Sequence, residues 1–138
     1  MHSKSNMVND VYRVFIMGAA TALEKIFGQY DGILSTFIIF MGVDYITGIC
    51  TAILSKTLSS KVGARGLAKK VGILCIIAIT VVIENRILNT SGLRNAVLLF
   101  YISNEGISII ENLCKLGIPI PNKLKSILMK MQGDDKDV

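Results

Sequence analysis

ILSTFIIFMGVDYITGICTAIL, residues 33–54, is the stretch that decides the fold. It contains 22 residues and a single charged side chain, Asp44. At about 1.5 Å per residue, a helix of this length is about 33 Å long, enough to cross the hydrocarbon core of a bilayer. Asp31-Gly32 interrupts the preceding pattern, and an aspartate at this point is suited to cap the helix. The stretch therefore predicts a transmembrane helix.

Two more apolar blocks follow, and they predict a second span at about 71–88 and a third at about 95–113. The uninterrupted apolar run of the second block, residues 71–83, is short for a span. Ile87 and Leu88 extend it at one end, and the lysines at 69 and 70 are expected to snorkel at the other. Residues 55–70, SKTLSSKVGARGLAKK, are predicted to form a polar loop, and residues 89–92 a turn.

The composition agrees with a membrane protein. Of 138 residues, 51% are hydrophobic and only 18% are charged, so a soluble domain this short would leave much apolar surface in water. The prediction is an all-α integral membrane protein with three transmembrane helices. Its segments are residues 1–32, an N-terminal polar segment and amphipathic helix; 33–114, the transmembrane helices; and 115–138, a basic tail.

The two ends of the chain are predicted to carry amphipathic helices. Residues 1–7 are polar and expected to be mobile, and no pattern of a cleaved signal peptide is present. From Val8 to Phe27 apolar residues recur at helical spacing, which favours a helix lying in the membrane interface. A fourth span remains an alternative, because residues 14–23 are nearly all apolar. After Pro121, an apolar stripe among lysines predicts a short basic amphipathic helix.

Positive charge predicts the orientation. The segment between the first two spans carries five basic residues and no acid, and more lysines follow the third span. The positive-inside rule places this segment and the C-terminus in the cytoplasm and the N-terminus outside. We expect these side chains to contact anionic lipid headgroups, not nucleic acid. They are Lys56, Lys61, Arg65, Lys69, Lys70, Lys123 and Lys125.

Polar residues within the spans are the candidates for function. A carboxylate at bilayer depth costs on the order of 2.5–3.5 kcal/mol, so it must face protein or water, or be protonated. Such residues either hold helices together by hydrogen bonds or line water once several copies assemble. Both interpretations stay open. The candidates are Asp44, Thr47, Gly48 and Thr51 in the first span, Glu84 in the second, and Glu105, Ser108, Glu111 and Asn112 in the third.

An enzyme is not predicted. The only histidine is His2, the three cysteines are widely separated, and no Gly-rich phosphate loop follows a strand. We therefore expect no catalytic residues, no metal and no cofactor.

Four motifs in order support a resemblance to a known family. They are VDYITG (43–48), RGLAKK (65–70), SNEGISIIEN (103–112) and LGIPIPNKLK (116–125). Together they resemble the toxin-secretion/phage-lysis holin family of phages and clostridia, over residues 33–125. The resemblance implies a homo-oligomer in the bacterial cytoplasmic membrane that opens non-selective lesions. Through these a cell-wall hydrolase or a large toxin leaves the cell, which leads to host lysis. The alternatives are a small oligomeric ion channel or transporter subunit, and a non-conducting scaffold or lysis antagonist.

Overall fold

A computed structural model describes residues 2–131 of the chain, with side chains from residue 7 onward. These residues form α1 (His2–Phe27), α2 (Gly32–Leu54), α3 (Ser60–Ile83), α4 (Leu93–Lys115) and α5 (Asn122–Met131). A π-helical turn, Glu84–Leu88, continues α3. Three helical stretches, 32–54, 60–88 and 93–115, are long and apolar enough to cross a membrane. The predicted all-α architecture with three spans is confirmed.

The chain divides after Tyr30 into two compact units, and α1 belongs to the first. Apolar side chains of α1 such as Val11 and Phe15 are exposed. The helix begins at His2, so its predicted start at Val8 is wrong, while the mobility expected for residues 1–7 stays a prediction. None of these residues is Gly or Pro, and once a helix is nucleated each added residue gains a hydrogen bond. α1 is not among the three helices suited to crossing a membrane, and its place in the interface stays a prediction.

The second unit is a bundle built on α4. α2 packs along α4 most extensively, α3 packs mainly on α4, and α5 returns against α4. The apolar core comes from all four helices because each turns one face inward. Its most deeply buried members are Phe37 of α2, Ile77 of α3 and Leu98 of α4.

The predicted polar loop at 55–70 is wrong in its second half, because α3 begins at Ser60. Ser59 caps the helix: its hydroxyl accepts a hydrogen bond from the Val62 N–H at 3.3 Å. The residues that follow include Lys, Ala, Leu and Arg, all good helix formers. Gly63 and Gly66 lie beside Tyr45 in α2: a Cβ at Gly63 would lie 3.7 Å from the Tyr45 hydroxyl, and one at Gly66 would lie 3.6 Å from the ring. The loop is thus only residues 55–59.

The predicted tail helix is confirmed as α5, but its apolar side chain Leu128 is buried against α4. The contact point is Gly106 in the middle of α4. A Cβ at Gly106 would lie 2.9 Å from Leu128 Cδ2 and 3.1 Å from Phe40 Cε1. α5 therefore runs back along the second half of α4, and the prediction of a helix lying only on the lipid surface needs this correction. The exposed lysines of α5 include Lys123 and Lys125, whose contact with lipid stays a prediction.

Substituting Gly106 with Val is expected to destabilise the bundle. The added methyl groups overlap Leu128 and Phe40, and overpacking of this kind costs about 1–3 kcal/mol. Thermal unfolding in detergent micelles measures the effect. Gly72→Val is the matched control, because Gly72 is also helical and no heavy atom lies within 4 Å of its Cβ position. Equal losses of Tm in the two variants would show that α5 does not occupy this site.

Candidate functional site

Three charged side chains meet inside the bundle, and we call Asp44, Lys70 and Glu105 the central cluster. Lys70 Nζ lies 2.9 Å from Asp44 Oδ2 and also donates to Glu105 Oε2. Lys70 is 8% exposed and Glu105 3% exposed, so both are withdrawn from the surroundings of the bundle. The ammonium group bridges two carboxylates that come from different helices. One lysine of α3 thus ties α2 to α4.

Asn112 extends the central cluster along α4. Its Nδ2 donates to Asp44 Oδ1 and to Thr47 Oγ1, each at 3.3 Å. Asp44 therefore has one oxygen on the lysine and the other on the amide. The hydroxyl of Thr51 donates to the Thr47 carbonyl at 2.9 Å and approaches the Asn112 carbonyl at 3.4 Å. Every polar side chain in this group has a partner, which is how buried polar groups avoid the cost of desolvation.

The central cluster lies near the middle of the spans. Asp44 and Glu105 are each about halfway along their helices, and Lys70 must share their depth because it contacts both. Lys70 is ten residues into α3, so about 15 Å of helix precedes it. The predicted lipid-facing, snorkelling role of Lys70 is therefore wrong. A lysine at this depth is tolerated because two carboxylates satisfy it.

A cavity of about 250 Å³ adjoins the central cluster. Ser108 and Gly48 line it together with all three charged residues. The predicted polar faces of the first and third spans thus meet each other inside one chain. Glu111 departs from this pattern: it is exposed and lines a separate groove. The remaining predicted basic residues are exposed, namely Lys56, Lys61, Arg65 and Lys69.

A second polar group, which we call the end cluster, joins Asp31, Glu84 and Arg94 at the other end of the bundle. Arg94 Nη1 lies 2.7 Å from Asp31 Oδ2, and Asp31 Oδ1 accepts from the Leu34 N–H at 2.8 Å. The predicted capping of α2 by Asp31 is confirmed. The hydrogen bond from Arg94, together with that from Leu34, holds the pKa of the Asp31 carboxyl below its usual range. The stabilisation that the ionised Asp31 carboxylate provides is present at neutral pH and is lost as the pH falls through this lowered pKa.

The π-helical turn explains where Glu84 lies. It turns the Glu84 carboxylate toward the start of α4, where Oε2 accepts from the Arg94 N–H at 2.6 Å. The cap residue Gly92 has no side chain to do this, so Glu84 caps α4 from a distance. Glu84 is one of the predicted candidates for function, but the structure keeps it away from the central cluster. Sequence reasoning missed Arg94; the signal was a lone arginine beside the predicted third span.

No group of three or more His, Cys, Asp or Glu side chains is placed to hold a metal ion among residues 7–131. The three cysteines are free and exposed. What the central cluster offers is charge and hydrogen bonding at bilayer depth, which suits assembly, conformational change or passage of water and ions.

These features define a multi-pass, all-α membrane protein with a charged network in its interior. The chain belongs to the bacteriophage holin family, whose model matches residues 21–133. That range includes the three spans, the central cluster and α5.

Relatives in bacteria and in a phage match over most of the chain. A Clostridium perfringens protein, the uncharacterized 14.9 kDa protein in the nagH 3′ region, is 40% identical over 86% of this chain and 90% of its own length. A Listeria monocytogenes protein is 34% identical over 88% of this chain and 89% of its own. The probable holin of Bacillus phage phi105 is 34% identical over 67% of this chain and 69% of its own. No solved structure matches the chain.

Proposed function

We propose that this protein oligomerises in the bacterial cytoplasmic membrane and opens non-selective lesions there. A cell-wall hydrolase, or in a toxin-producing host a large toxin, leaves through them, and lysis follows. The observation that carries the proposal is the holin-family match, which covers all three spans. The name of the phage relative, probable holin, points the same way.

The central cluster suggests how the same chain can exist both as a closed monomer in the bilayer and as part of an assembled lesion. In the monomer its charges are paired with each other, so the chain can accumulate in the bilayer without exposing them to lipid. In an assembled lesion, water can solvate the same groups, so their pairing is no longer required. Polar contacts within a bilayer contribute modestly, since the separated groups find other partners. The cluster therefore stabilises the closed monomer while leaving an assembled state within reach.

Inducible expression in a bacterium tests the function. We expect an abrupt loss of viability together with leakage of a cytoplasmic enzyme when a cell-wall hydrolase is absent, and lysis when it is present. A selective channel would instead collapse ion gradients while proteins stay inside the cell. Retention of every protein marker after loss of viability would contradict the lesion proposal.

We further propose an N-out, C-in orientation, supported by the basic residues on the loop and on α3. A cysteine replacing Ser60, at the start of α3, reports the side of the membrane. The native Cys50, Cys75 and Cys114 must be replaced first because they are exposed. An impermeant thiol reagent should leave this cysteine unlabelled in intact spheroplasts and label it after permeabilisation. Strong labelling in intact spheroplasts would reverse the orientation.

A further inference from the structure

A row of exposed basic side chains runs along α3, and we call Lys61, Arg65 and Lys69 the basic stripe. Lys69, at its edge, also lines the cavity beside the central cluster. The spacing of four residues within the basic stripe places its members along one side of the helix. All three are exposed, and none has an ion pair or side-chain hydrogen bond to any residue that the structure describes. The neighbouring Lys70 turns inward instead. The basic stripe thus has no partner within the described bundle.

The depth of the basic stripe follows from Lys70. Arg65 precedes Lys70 by five residues, which is about 7.5 Å along the helix axis. Lys69 lies almost level with the central cluster, and Lys61 lies closest to the 55–59 loop. Part of the basic stripe is therefore within the span, where a cation facing only lipid is unfavourable.

Among the acids of residues 31–131, Glu111 alone has no ion pair or side-chain hydrogen bond to another described residue. Of the five acids in residues 31–131, Asp31 and Glu84 bind Arg94, while Asp44 and Glu105 bind Lys70. Glu111 is exposed on α4. Lys115, one turn further along α4, lines the same groove, yet no ion pair joins it to Glu111.

Glu111 and Arg65 lie at nearly the same depth. Glu111 follows Glu105 by six residues, about 9 Å along α4. α3 and α4 run in opposite directions across the membrane, so both displacements point toward the end with the 55–59 loop. Since Lys70 and Glu105 are paired, Arg65 and Glu111 differ in depth by only about 1.5 Å. A rotation about the membrane normal preserves depth, so it can bring the two residues of different copies together.

We propose that a second copy of this chain docks its Glu111 against Arg65 of the first, with Lys69 beside it. In this head-to-tail contact one copy offers its basic stripe and the next offers its Glu111, so each copy keeps one of the two surfaces for a further neighbour. Repeating such a contact produces a ring if the rotation closes, or an open chain if it does not. The proposal rests on the proposed function in that it names the contact through which the lesion assembles.

Cysteine cross-linking in membranes tests the contact. In a chain with Cys50 and Cys75 replaced by Ala, we keep the exposed Cys114, introduce Lys61→Cys and apply an oxidant, so that Arg65 and Glu111 retain their charges. Positions 61 and 114 are each nine residues, about 13.5 Å, from the paired Lys70 and Glu105, so they share a depth. The expected result is a ladder of dimers and larger species on a non-reducing gel. Each single-cysteine variant should remain monomeric, because the contact brings two different positions together. Efficient dimers from either single variant, or no ladder from the pair, would overturn the proposal.

Charge exchange separates electrostatic pairing from mere proximity. Glu111→Arg and Arg65→Glu should each lower the oligomeric fraction by about tenfold. That fraction is measured by thiol-specific cross-linking through a cysteine placed in the 55–59 loop, a reaction that does not involve the lysines. The double exchange should restore the oligomeric fraction. Lys115→Glu is the control and should leave the fraction unchanged, and equal protein in the membrane fraction confirms insertion of every variant. A double exchange no better than either single variant would overturn the pairing.

Oligomers are measured separately from lysis, so the two proposals fail in different ways. A full ladder without leakage of protein would contradict the lesion and leave the contact intact. Normal lysis by the parent chain, with no ladder from the cysteine pair, would contradict the contact and leave the lesion intact.

Discussion

Replacing Lys70 with Met is expected to destabilise the folded bundle by about 3–5 kcal/mol, the effect of removing one partner from a buried ion pair. The substitution leaves the carboxylates of Asp44 and Glu105 close together in the interior, with no cation between them. Folding is then opposed by the repulsion between the two carboxylates and by the cost of their desolvation, which no cation offsets. Unfolding in mixed detergent micelles measures the loss, and the amount of protein recovered in membranes should fall with it.

Two further variants decide whether charge causes the effect. Lys69→Met removes the adjacent, exposed lysine and should change the free energy of unfolding little. Adding Asp44→Asn and Glu105→Gln to Lys70→Met removes all three charges while keeping the side-chain shapes. Neutral replacement of a whole buried ionic group is often tolerated, so this triple variant should recover most of the stability. A triple variant as unstable as Lys70→Met would attribute the loss to the packing of the lysine chain.

The spans themselves were predictable because lipid imposes a simple rule on sequence. Backbone groups in hydrocarbon must bond within a helix, so a long apolar block is a helix whatever its neighbours are. The predicted first and third spans accordingly agree with α2 and α4 to within two residues. The predicted start of the second span, at about residue 71, differs from the start of α3 at Ser60, because the first ten residues of α3 include several polar residues and two glycines. Gly63 and Gly66 in this stretch lie beside Tyr45, a contact between positions distant in sequence that no pattern within α3 reveals.

The sequence predicts which polar residues belong to the site, but it does not predict which of them bind each other. Helical spacing placed Asp44 and Thr47 on one face and Glu105 and Asn112 on another, and these two faces meet. What spacing within one helix cannot give is the rotation and depth of a neighbouring helix. The sequence therefore predicts that Lys70 contacts lipid headgroups, whereas in the structure Asp44 and Glu105 bind it. Arg94 was missed for the same reason, because its partners lie 63 and 10 residues away in sequence.

Whether the central cluster serves only to hold helices together is decided by lysis time. Asp44→Asn leaves Lys70 paired with Glu105, and Glu105→Gln leaves it paired with Asp44. In either single variant one cation faces one carboxylate, an arrangement better suited to a low-dielectric interior than two carboxylates on one lysine. The closed monomer should gain stability relative to an assembled, hydrated state. Each single variant is therefore expected to insert normally and to delay or abolish lysis.

The double variant Asp44→Asn with Glu105→Gln is expected to have the opposite effect on the closed monomer, because it leaves Lys70 without a carboxylate at mid-span. It should lower the stability of the bundle, so its effect on lysis cannot be the sum of the two delays. Lysis times after induction, at matched protein levels in the membrane fraction, measure all three variants. Glu24→Gln in α1 is the control, since it removes an exposed carboxylate outside the central cluster. If both single variants lyse cells on the schedule of the parent chain, the carboxylate charges are dispensable for opening. The cluster then acts only by holding α2, α3 and α4 together.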